Sequence, residues 1–217
     1  MVEFLYIFFS YLLGSIPFGF IVSRFYKKNI LEVGWKKTSA SNVMKNVGFL
    51  PGLLVGLLDL GKGFLAVWVG QKFYFSLYSQ VLAGFFSILG HNWSVYLKFN
   101  GGRGIATFLG AALALDYRVA LYSLLFFLFL ALIWNTSMAT IFFLFFLIIY
   151  PYFFNQGFLL SILSLLSLFP IFLKRLSPIK EIFPIREKKE LIRNRLLFDN
   201  DQYQGLRIKK FLQKYVH

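Results

Sequence analysis

The amino-acid sequence predicts an all-α integral membrane protein with seven transmembrane helices, short polar cytoplasmic loops and a basic C-terminal tail. Of its 217 residues, 58% are hydrophobic and only 15% are charged, and the mean hydropathy is +0.67. Between Val119 and Leu173 there is no Asp, Glu, Lys or Arg. One spanning helix needs roughly 17–25 apolar residues, so this run holds two or three of them. A water-soluble domain of this size has too little polar surface to cover so many apolar side chains, which excludes that class.

Seven apolar segments, each ended by charged residues, Pro, Gly or Asn, are expected to form the spanning helices. They cover residues 3–24, 50–70, 75–96, 104–117, 119–134, 137–154 and 157–173. The fourth is the shortest, because few uncharged residues separate Arg103 from Asp116. The long apolar run divides at Asn135 and Thr136, and again after Pro151. The first segment has no basic residues before it and no cleavage-site pattern after it, so we expect a retained span.

Basic residues concentrate on one side of this arrangement. Seven spans place the two ends of the chain on opposite faces, and the face with the C-terminus also receives loops 25–49 and 97–103 and the turn 135–136. The basic residues in and beside those loops are Arg24, Lys27, Lys28, Lys36, Lys37, Lys45, Lys98 and Arg103. The other face has only two basic residues, Lys72 and Arg118. The positive-inside rule therefore predicts an external N-terminus and a cytoplasmic C-terminus, in the inner (plasma) membrane of the cell.

The charge of the chain indicates its partners. The formal net charge is +14, from 23 Lys and Arg against 9 Asp and Glu. Because the rest of the chain is so apolar, anionic membrane lipids or a phosphorylated substrate are better partners for this charge than nucleic acid, which we do not expect to bind. Much of the charge lies in residues 174–217, which are predicted to be a cytoplasmic juxtamembrane tail held at anionic lipid, separate from a transmembrane domain of residues 1–173. The oligomeric state is left open.

Cysteine and histidine usage limits the chemistry. The chain has no Cys, which excludes disulfides, thiolate metal sites and a Cys nucleophile. Its two histidines, His91 and His217, leave little for a histidine-built metal site. We therefore expect no metal site.

Three glycines surround an arginine at the predicted start of the fourth helix. Gly101, Gly102 and Gly104 let backbone N–H groups approach an anion closely, and the helix N-terminus adds a favourable dipole. Arg103 adds a forked donor. The pattern favours a phosphate site, and a purely structural turn is the alternative.

Two other polar segments are expected on the same face. Residues 34–48 combine three lysines with small hydroxyl and amide side chains, which suits a phosphate or polyol group, whereas a solvated charge run facing lipid is the alternative. Thr136 and Ser137 interrupt the long apolar run, where capping of a helix is the alternative. In the second span Asp59 and Lys62, three residues apart, are expected to neutralise each other near the interface. His91 is assigned no role as a base because no partner is visible.

The combination of motifs resembles a known family. The motifs are Gly14-Ser15-Ile16-Pro17-Phe18-Gly19, Ala40-Ser41-Asn42-Val43, Asp59 with Lys62-Gly63, Gly90-His91-Asn92 and Gly101 through Thr107. In this order and spacing they resemble the acyl-phosphate-dependent glycerol-3-phosphate acyltransferases of bacterial membranes, over roughly residues 10–180. The stretch from His91 to Thr107 is the most specific part of the match.

The resemblance implies a reaction and a set of residues. A fatty acyl group passes from acyl phosphate to the 1-hydroxyl of glycerol 3-phosphate, giving lysophosphatidic acid for phospholipid synthesis. No metal, coenzyme A or other cofactor is implied, and no covalent acyl-enzyme. Ser137, Asn42 and Arg103 become the candidate catalytic residues. The candidate substrate-binding residues are Ser41, Lys45, Lys36, Lys37, His91, Asn92, Gly101, Gly102, Gly104 and Thr136.

The chain also departs from the family pattern. Lys45 stands where the family has Arg, Arg103 stands where it has Lys, and Thr136 replaces a Ser. Near the last span, Arg175 and Pro178 occupy the places of a family His and Asn, and an Arg cannot accept a proton at neutral pH. Two alternatives therefore stay open. One is a relative with the same fold that uses another acceptor or donor, and the other is a non-enzymatic lipid-phosphate binder or transporter.

Overall fold

A computed structural model of the chain describes residues 1–155, 157–179, 182 and 188–200. Within these residues the regular secondary structure is helical. The helices are α1 (Val2–Ser15), α2 (Phe18–Phe25), α3 (Ala40–Asn46), α4 (Phe49–Lys72), α5 (Leu77–Asn92), α6 (Ile105–Leu115), α7 (Tyr117–Ile133), α8 (Thr136–Phe154), α9 (Phe158–Arg175) and α10 (Lys188–Phe198), with a 3-10 turn at Val95–Leu97.

The helices lie where the apolar segments of the sequence predict them, within a few residues at each end. By length and composition, four segments of the described chain are able to cross a membrane: Val2–Phe25, Phe49–Lys72, Thr136–Phe154 and Phe158–Arg175. The apolar helices α6 and α7 are shorter, with 11 and 17 residues, and α5 has 16. The all-helical membrane architecture is confirmed, and the count of seven spans stays a prediction.

The first predicted helix is interrupted in the middle. α1 ends at Ser15 and α2 begins at Phe18, because Pro17 lacks a backbone N–H and the residue before a proline is disfavoured in the helical conformation. At the break, the carbonyl of Ile16 accepts hydrogen bonds from the N–H of Phe18 at 3.1 Å and from the Nζ of Lys62 at 3.0 Å. The break thus ties the first segment to a charged side chain in the middle of α4.

Close backbone contact between α4 and α6 fixes the start of α6. A Cβ atom on Gly63 would lie 1.9 Å from the carbonyl oxygen of Thr107, and one on Gly110 would lie 1.9 Å from that of Leu60. Only glycine allows helices to approach so closely, a packing mode typical of membrane helices. The position of the glycine-rich loop, residues 101–104 directly before α6, is therefore fixed relative to α4.

The loop before α4 contains a short helix that the sequence pattern does not predict. Helix α3 packs on α4, and Val43 is completely buried with Ile30 and Val55 in a small apolar cluster. A larger apolar cluster, which includes Phe108, Phe143 and other buried side chains of α4 to α9, forms the main core. Loop 34–48 is thus anchored on the helices, so the alternative of a solvated charge run is wrong for its buried part.

The described part of the basic tail also lies on the helices. α10 contacts α8 and α9, with Leu191 and Phe198 buried. The last turn of α10 lies at the end of α9, where Arg175 donates to the carbonyl of Leu196, and at the start of α8, where Ser137 donates to the carbonyl of Phe198. Residues 201–217 lie outside the described part of the chain.

Candidate active site

A cavity of about 250 Å³ opens where these helix ends meet. One part of its wall is polar and is formed by Ser39, Ser41, Asp59, His91, Arg103, Thr136, Ser137, Thr140, Arg175 and Asp199. The other part is apolar and includes Ile105, Ala106, Leu109 and Phe127. A second cavity of about 210 Å³ lies beside it, lined by Lys36, Lys37 and Arg195 among others. Arg175 and Asp199 line both cavities.

The glycine-rich loop is bonded on both of its sides. The backbone N–H of Gly102 donates to the carbonyl of His91 at 3.1 Å, and the N–H of Thr38 donates to the carbonyl of Gly101 at 3.4 Å. Gly104 adopts a left-handed conformation with φ of +78° directly before α6. Glycine is the residue that takes this conformation without strain. These hydrogen bonds hold the glycine-rich loop between the end of α5 and the segment that leads into α3. Arg103 follows directly after the two bonded glycines.

Arg103 is held between an aromatic ring and a carboxylate. Its guanidinium lies 5.0 Å from the ring centroid of Trp35, and its Nε forms an ion pair with Asp199. The side chain is 11% exposed. Among the described residues its Nη2 has no hydrogen-bond partner. A largely enclosed arginine with an unused donor is suited to receive an anion.

Asp199 bridges Arg103 and Lys37. Its Oδ1 lies 3.3 Å from the Nζ of Lys37, although the two residues are 162 positions apart in the sequence. Burial lowers the pKa of Lys37 to about 8, an effect that the charge of Asp199 opposes and the charge of Arg103 reinforces. The carboxylate thus occupies the space between two cations, as an anionic ligand would.

Ser137 lies at the N-terminus of α8, on the opposite wall. Its Oγ donates to the carbonyl of Phe198 at 2.9 Å, and its own carbonyl accepts from the Nη2 of Arg175 at 2.9 Å. The cap of α8 is Asn135, whose Oδ1 accepts from the N–H groups of Ser137 and Met138. The hydroxyl of Ser137 therefore does not cap the helix, and the capping alternative is wrong for this side chain.

Comparison with known proteins identifies the family. A family model described as glycerol-3-phosphate acyltransferase matches residues 4–184. The chain belongs to this family. The glycerol-3-phosphate acyltransferase of Prochlorococcus marinus (strain MIT 9301) is 45% identical over 125 residues, 57% of this chain and 64% of that protein. Glycerol-3-phosphate acyltransferase 5 of Dehalococcoides mccartyi is 41% identical over 116 residues, 53% of this chain and 50% of that protein. The match thus spans less than two thirds of either relative.

Two crystal structures have the same fold. Both are of PlsY (YgiH), an integral membrane glycerol 3-phosphate acyltransferase, one in the glycerol 3-phosphate form and one in the lysophosphatidic acid form. The TM-scores are 0.75 and 0.72 at 28% sequence identity, and the match covers 85% of this chain and 93% of the other. The resemblance to the acyltransferase family that the sequence indicates is therefore confirmed. The prediction that the chain is a multi-pass membrane protein is confirmed as well.

Most of the residues proposed for the acyltransferase site lie around the two cavities. Ser41, His91, Arg103, Gly104, Thr136 and Ser137 line the larger one, and Lys36 and Lys37 line the smaller one. Gly101 and Gly102 form the adjoining loop. Lys45 is exposed and lies over the ring of Trp35, 5.2 Å from its centroid, outside both linings.

The structure gives Asn42 and Asn92 structural contacts. The side-chain amide of Asn42 is fully buried and donates to the carbonyl oxygens of Ile30, Val33 and Lys37. Its Oδ1 accepts from the N–H of Trp35, so Asn42 organises the loop instead of lining a cavity. Asn92 is also buried and donates to the carbonyl of Pro170 in α9. Neither side chain lines either cavity, which places both behind the site.

The site contains residues that the sequence did not identify. Arg175, to which no sequence motif assigns a binding role, lines both cavities and is among the largest fully buried side chains. Asp199 lies in a segment whose composition suggested only lipid attachment, and no local motif marks it. In the described part of the chain, no three His, Asp or Glu side chains are grouped to hold a metal ion.

Proposed function

We propose that the protein is a membrane acyltransferase that transfers a fatty acyl group from acyl phosphate to the 1-hydroxyl of glycerol 3-phosphate, forming lysophosphatidic acid. The observation that carries this proposal is the larger cavity, in which the cations Arg103 and Arg175 adjoin an apolar wall. An acyl phosphate has the same two parts, an anionic head and an apolar chain. The membership of the acyltransferase family, and the forms in which PlsY was crystallised, support this assignment.

The proposed chemistry depends on position and charge. The 1-hydroxyl oxygen of glycerol 3-phosphate attacks the acyl carbonyl carbon, the bond from that carbon to the phosphate oxygen breaks, and phosphate leaves with the bonding electrons. Arg103 stabilises the charge that develops on the phosphate. A leaving phosphate is able to accept the hydroxyl proton, which Arg175 cannot do. Fixing the two substrates side by side supplies much of the acceleration, so no residue of the enzyme needs to form a bond to the acyl group.

We further propose that a substrate phosphate takes the place of the Asp199 carboxylate. The carboxylate pairs with Arg103, which lines the larger cavity, and with Lys37, which lines the smaller one. A phosphate bound there would have to separate these ion pairs. Substrate binding would then move the end of α10 away from the glycine-rich loop.

Replacing Ser137 with alanine is expected to lower turnover without lowering the yield of folded protein. The hydroxyl lines the larger cavity and is bonded to the carbonyl of Phe198, while Asn135 supplies the helix cap. Turnover and detergent-solubilised yield of the Ser137→Ala variant are to be measured together, with Ser161→Ala as a control far from the cavity. Equal losses of both would indicate a structural role, because the variant also removes the hydrogen bond to the carbonyl of Phe198, and such a bond contributes about 0.5–1.5 kcal/mol.

The affinity for the anionic substrate is expected to fall as the pH rises through about 8. Burial lowers the pKa of Lys37 to about 8, so its ammonium is present below that pH and is lost above it. KM for glycerol 3-phosphate should therefore rise between pH 7 and 9. The Lys37→Arg variant, whose guanidinium stays charged, should show a flatter profile, whereas Lys98→Arg should follow the unmodified protein. Identical profiles for all three would contradict the role of Lys37.

We propose that the protein has seven spans, with an external N-terminus and a cytoplasmic C-terminus, in the inner (plasma) membrane. The asymmetry of basic loops supports this orientation. So does the meeting of the glycine-rich loop, loop 34–48, the turn at Asn135 and α10 at one end of the helices. Residues 174–217 are then a cytoplasmic tail that also attaches to anionic lipid, with residues 188–200 contributing to the site.

A relative with another phosphorylated acceptor is a second candidate, and Arg175 favours it. This guanidinium lies in the wall shared by the two cavities, where the family has His. Purified protein in lipid nanodiscs should be supplied with palmitoyl phosphate and a panel of phosphorylated alcohols, and the acylated products identified by mass spectrometry. Preference for glycerol 3-phosphate supports the main proposal, and preference for another alcohol supports the second.

A further inference from the structure

We infer that His91 and Asp59 are positioning residues, which hold the glycine-rich loop so that Arg103 meets the phosphate. This inference rests on the proposed function, because it assumes that Arg103 binds an anionic substrate. Asp59 and His91 line the larger cavity next to Arg103. Both are nearly inaccessible, and both lie in helices that the sequence predicts to be within the membrane.

A buried polar network runs from the break in the first helix to the loop. The Nζ of Lys62 donates to the carbonyl of Ile16 and lies 2.9 Å from the Oδ1 of Asp59. The same carboxylate oxygen lies 3.3 Å from the Nδ1 of His91. The expected pairing of Asp59 with Lys62 is confirmed. The pair is buried, however, and the imidazole of His91 lies beside it. Ionisable groups buried among membrane helices are costly and usually serve a function.

The imidazole ring forms a wall beneath the loop. A Cβ atom on Gly102 would lie 2.1 Å from the Nε2 of His91, so no larger residue fits while the ring is there. The carbonyl of His91 also accepts the hydrogen bond from the N–H of Gly102. Both the backbone and the side chain of His91 thus touch the residue immediately before Arg103.

Asp59 lies beside the Nδ1 edge of this ring. Its Oδ1 is 3.3 Å from the Nδ1 of His91, an ion-pair contact without the geometry of a hydrogen bond. A carboxylate beside one ring nitrogen favours a proton on that nitrogen, and the other nitrogen, Nε2, is directed towards Gly102. Lys62 neutralises the carboxylate, so the orienting charge is balanced inside the protein. Through these contacts, the position of Asp59 and Lys62 in α4 determines where the glycine-rich loop lies.

A double-mutant cycle between His91 and Gly102 tests the contact. Gly102→Ala should raise KM for glycerol 3-phosphate about tenfold, because the new methyl group displaces the loop from the ring. His91→Ala should also raise it about tenfold, through loss of the wall. When His91→Ala and Gly102→Ala are combined, KM should be no higher than in His91→Ala alone, because the methyl group then has room. If the two effects multiplied instead, the contact would not be what positions the loop.

A second pair of variants separates positioning from stability. Asp59→Asn combined with Lys62→Met removes both charges together and leaves no unpaired buried ion. We expect KM to rise several-fold while kcat and the yield of folded protein change little. A fall in yield with unchanged KM in the surviving protein would show a structural role only and would overturn the inference.

Thermal stabilisation by orthophosphate provides a readout that does not need turnover. Orthophosphate should raise the melting temperature of the unmodified protein, and raise it less in His91→Ala. If this difference is found in a protein without acyltransferase activity, the inference stands and the proposed function fails. If activity is present but the variants keep the phosphate response and KM of the unmodified protein, the inference fails alone.

Discussion

Replacing Arg103 with alanine should lower kcat/KM by about ten- to more than a hundredfold. The guanidinium is buried beside the cavity and has an unused donor in the described structure. Charge-assisted hydrogen bonds contribute roughly 1.5–3 kcal/mol each, and 1.4 kcal/mol corresponds to a factor of ten. The loss should be measured as initial rates over a range of both substrates, since a phosphate site affects KM as well as turnover.

Two control variants make this result specific. Arg103→Lys should recover part of the activity, because lysine keeps the positive charge but loses the forked donor geometry. Lys189→Ala, on the exposed start of α10, should change kinetics little and only weaken membrane attachment, worth about 1 kcal/mol per basic residue at an anionic surface. Wild-type kinetics in Arg103→Ala, or an equal loss in Lys189→Ala, would contradict the assignment of the phosphate site.

Replacing Asp199 with asparagine should lower KM for the phosphorylated substrate by about tenfold, while making the substrate-free protein less stable. The carboxylate and the substrate phosphate compete for Arg103 and Lys37, and a site that is closed nine times in ten binds its ligand about tenfold more weakly. Without ligand, however, Asp199→Asn leaves two buried cations unpaired, which destabilises a protein.

The stability measurement decides between competition and a purely structural ion pair. Orthophosphate should stabilise Asp199→Asn against thermal unfolding more than it stabilises the unmodified protein, because it replaces the lost charge. Glu190→Gln, which removes an exposed carboxylate from α10, the helix that ends directly before Asp199, is the matched control and should behave as the unmodified protein does. A raised or unchanged KM in Asp199→Asn would mean that no displacement occurs.

The helices of this protein were predictable because membrane helices have a strong signal. Backbone groups in lipid must be satisfied within each segment, so apolar runs between polar breaks are helical. The break at Pro17 follows from proline chemistry, although the apolar pattern of residues 3–24 by itself predicts one continuous helix. The short helix α3 was missed because loop 34–48 has no long apolar run, and its burial depends on contacts with α4.

The candidate site was predictable where a local motif carries it. The glycine-rich loop and Ser137 lie at the larger cavity, as the motifs suggest. Asn42 illustrates the limit, since an amide bonds backbone carbonyls as readily as a substrate hydroxyl, and here three carbonyls surround it. Asp199 was beyond the reach of sequence patterns, because its contact with Lys37 joins two segments 162 residues apart.

The most direct test of the account is the formation of lysophosphatidic acid by the purified protein. The protein in lipid nanodiscs should be given palmitoyl phosphate and glycerol 3-phosphate, with the Arg103→Ala variant prepared in parallel. We expect lysophosphatidic acid and orthophosphate in equal amounts, produced much more slowly by the variant. If folded protein released no lysophosphatidic acid, or if Arg103→Ala produced it at the same rate, the proposed reaction at this site would be contradicted.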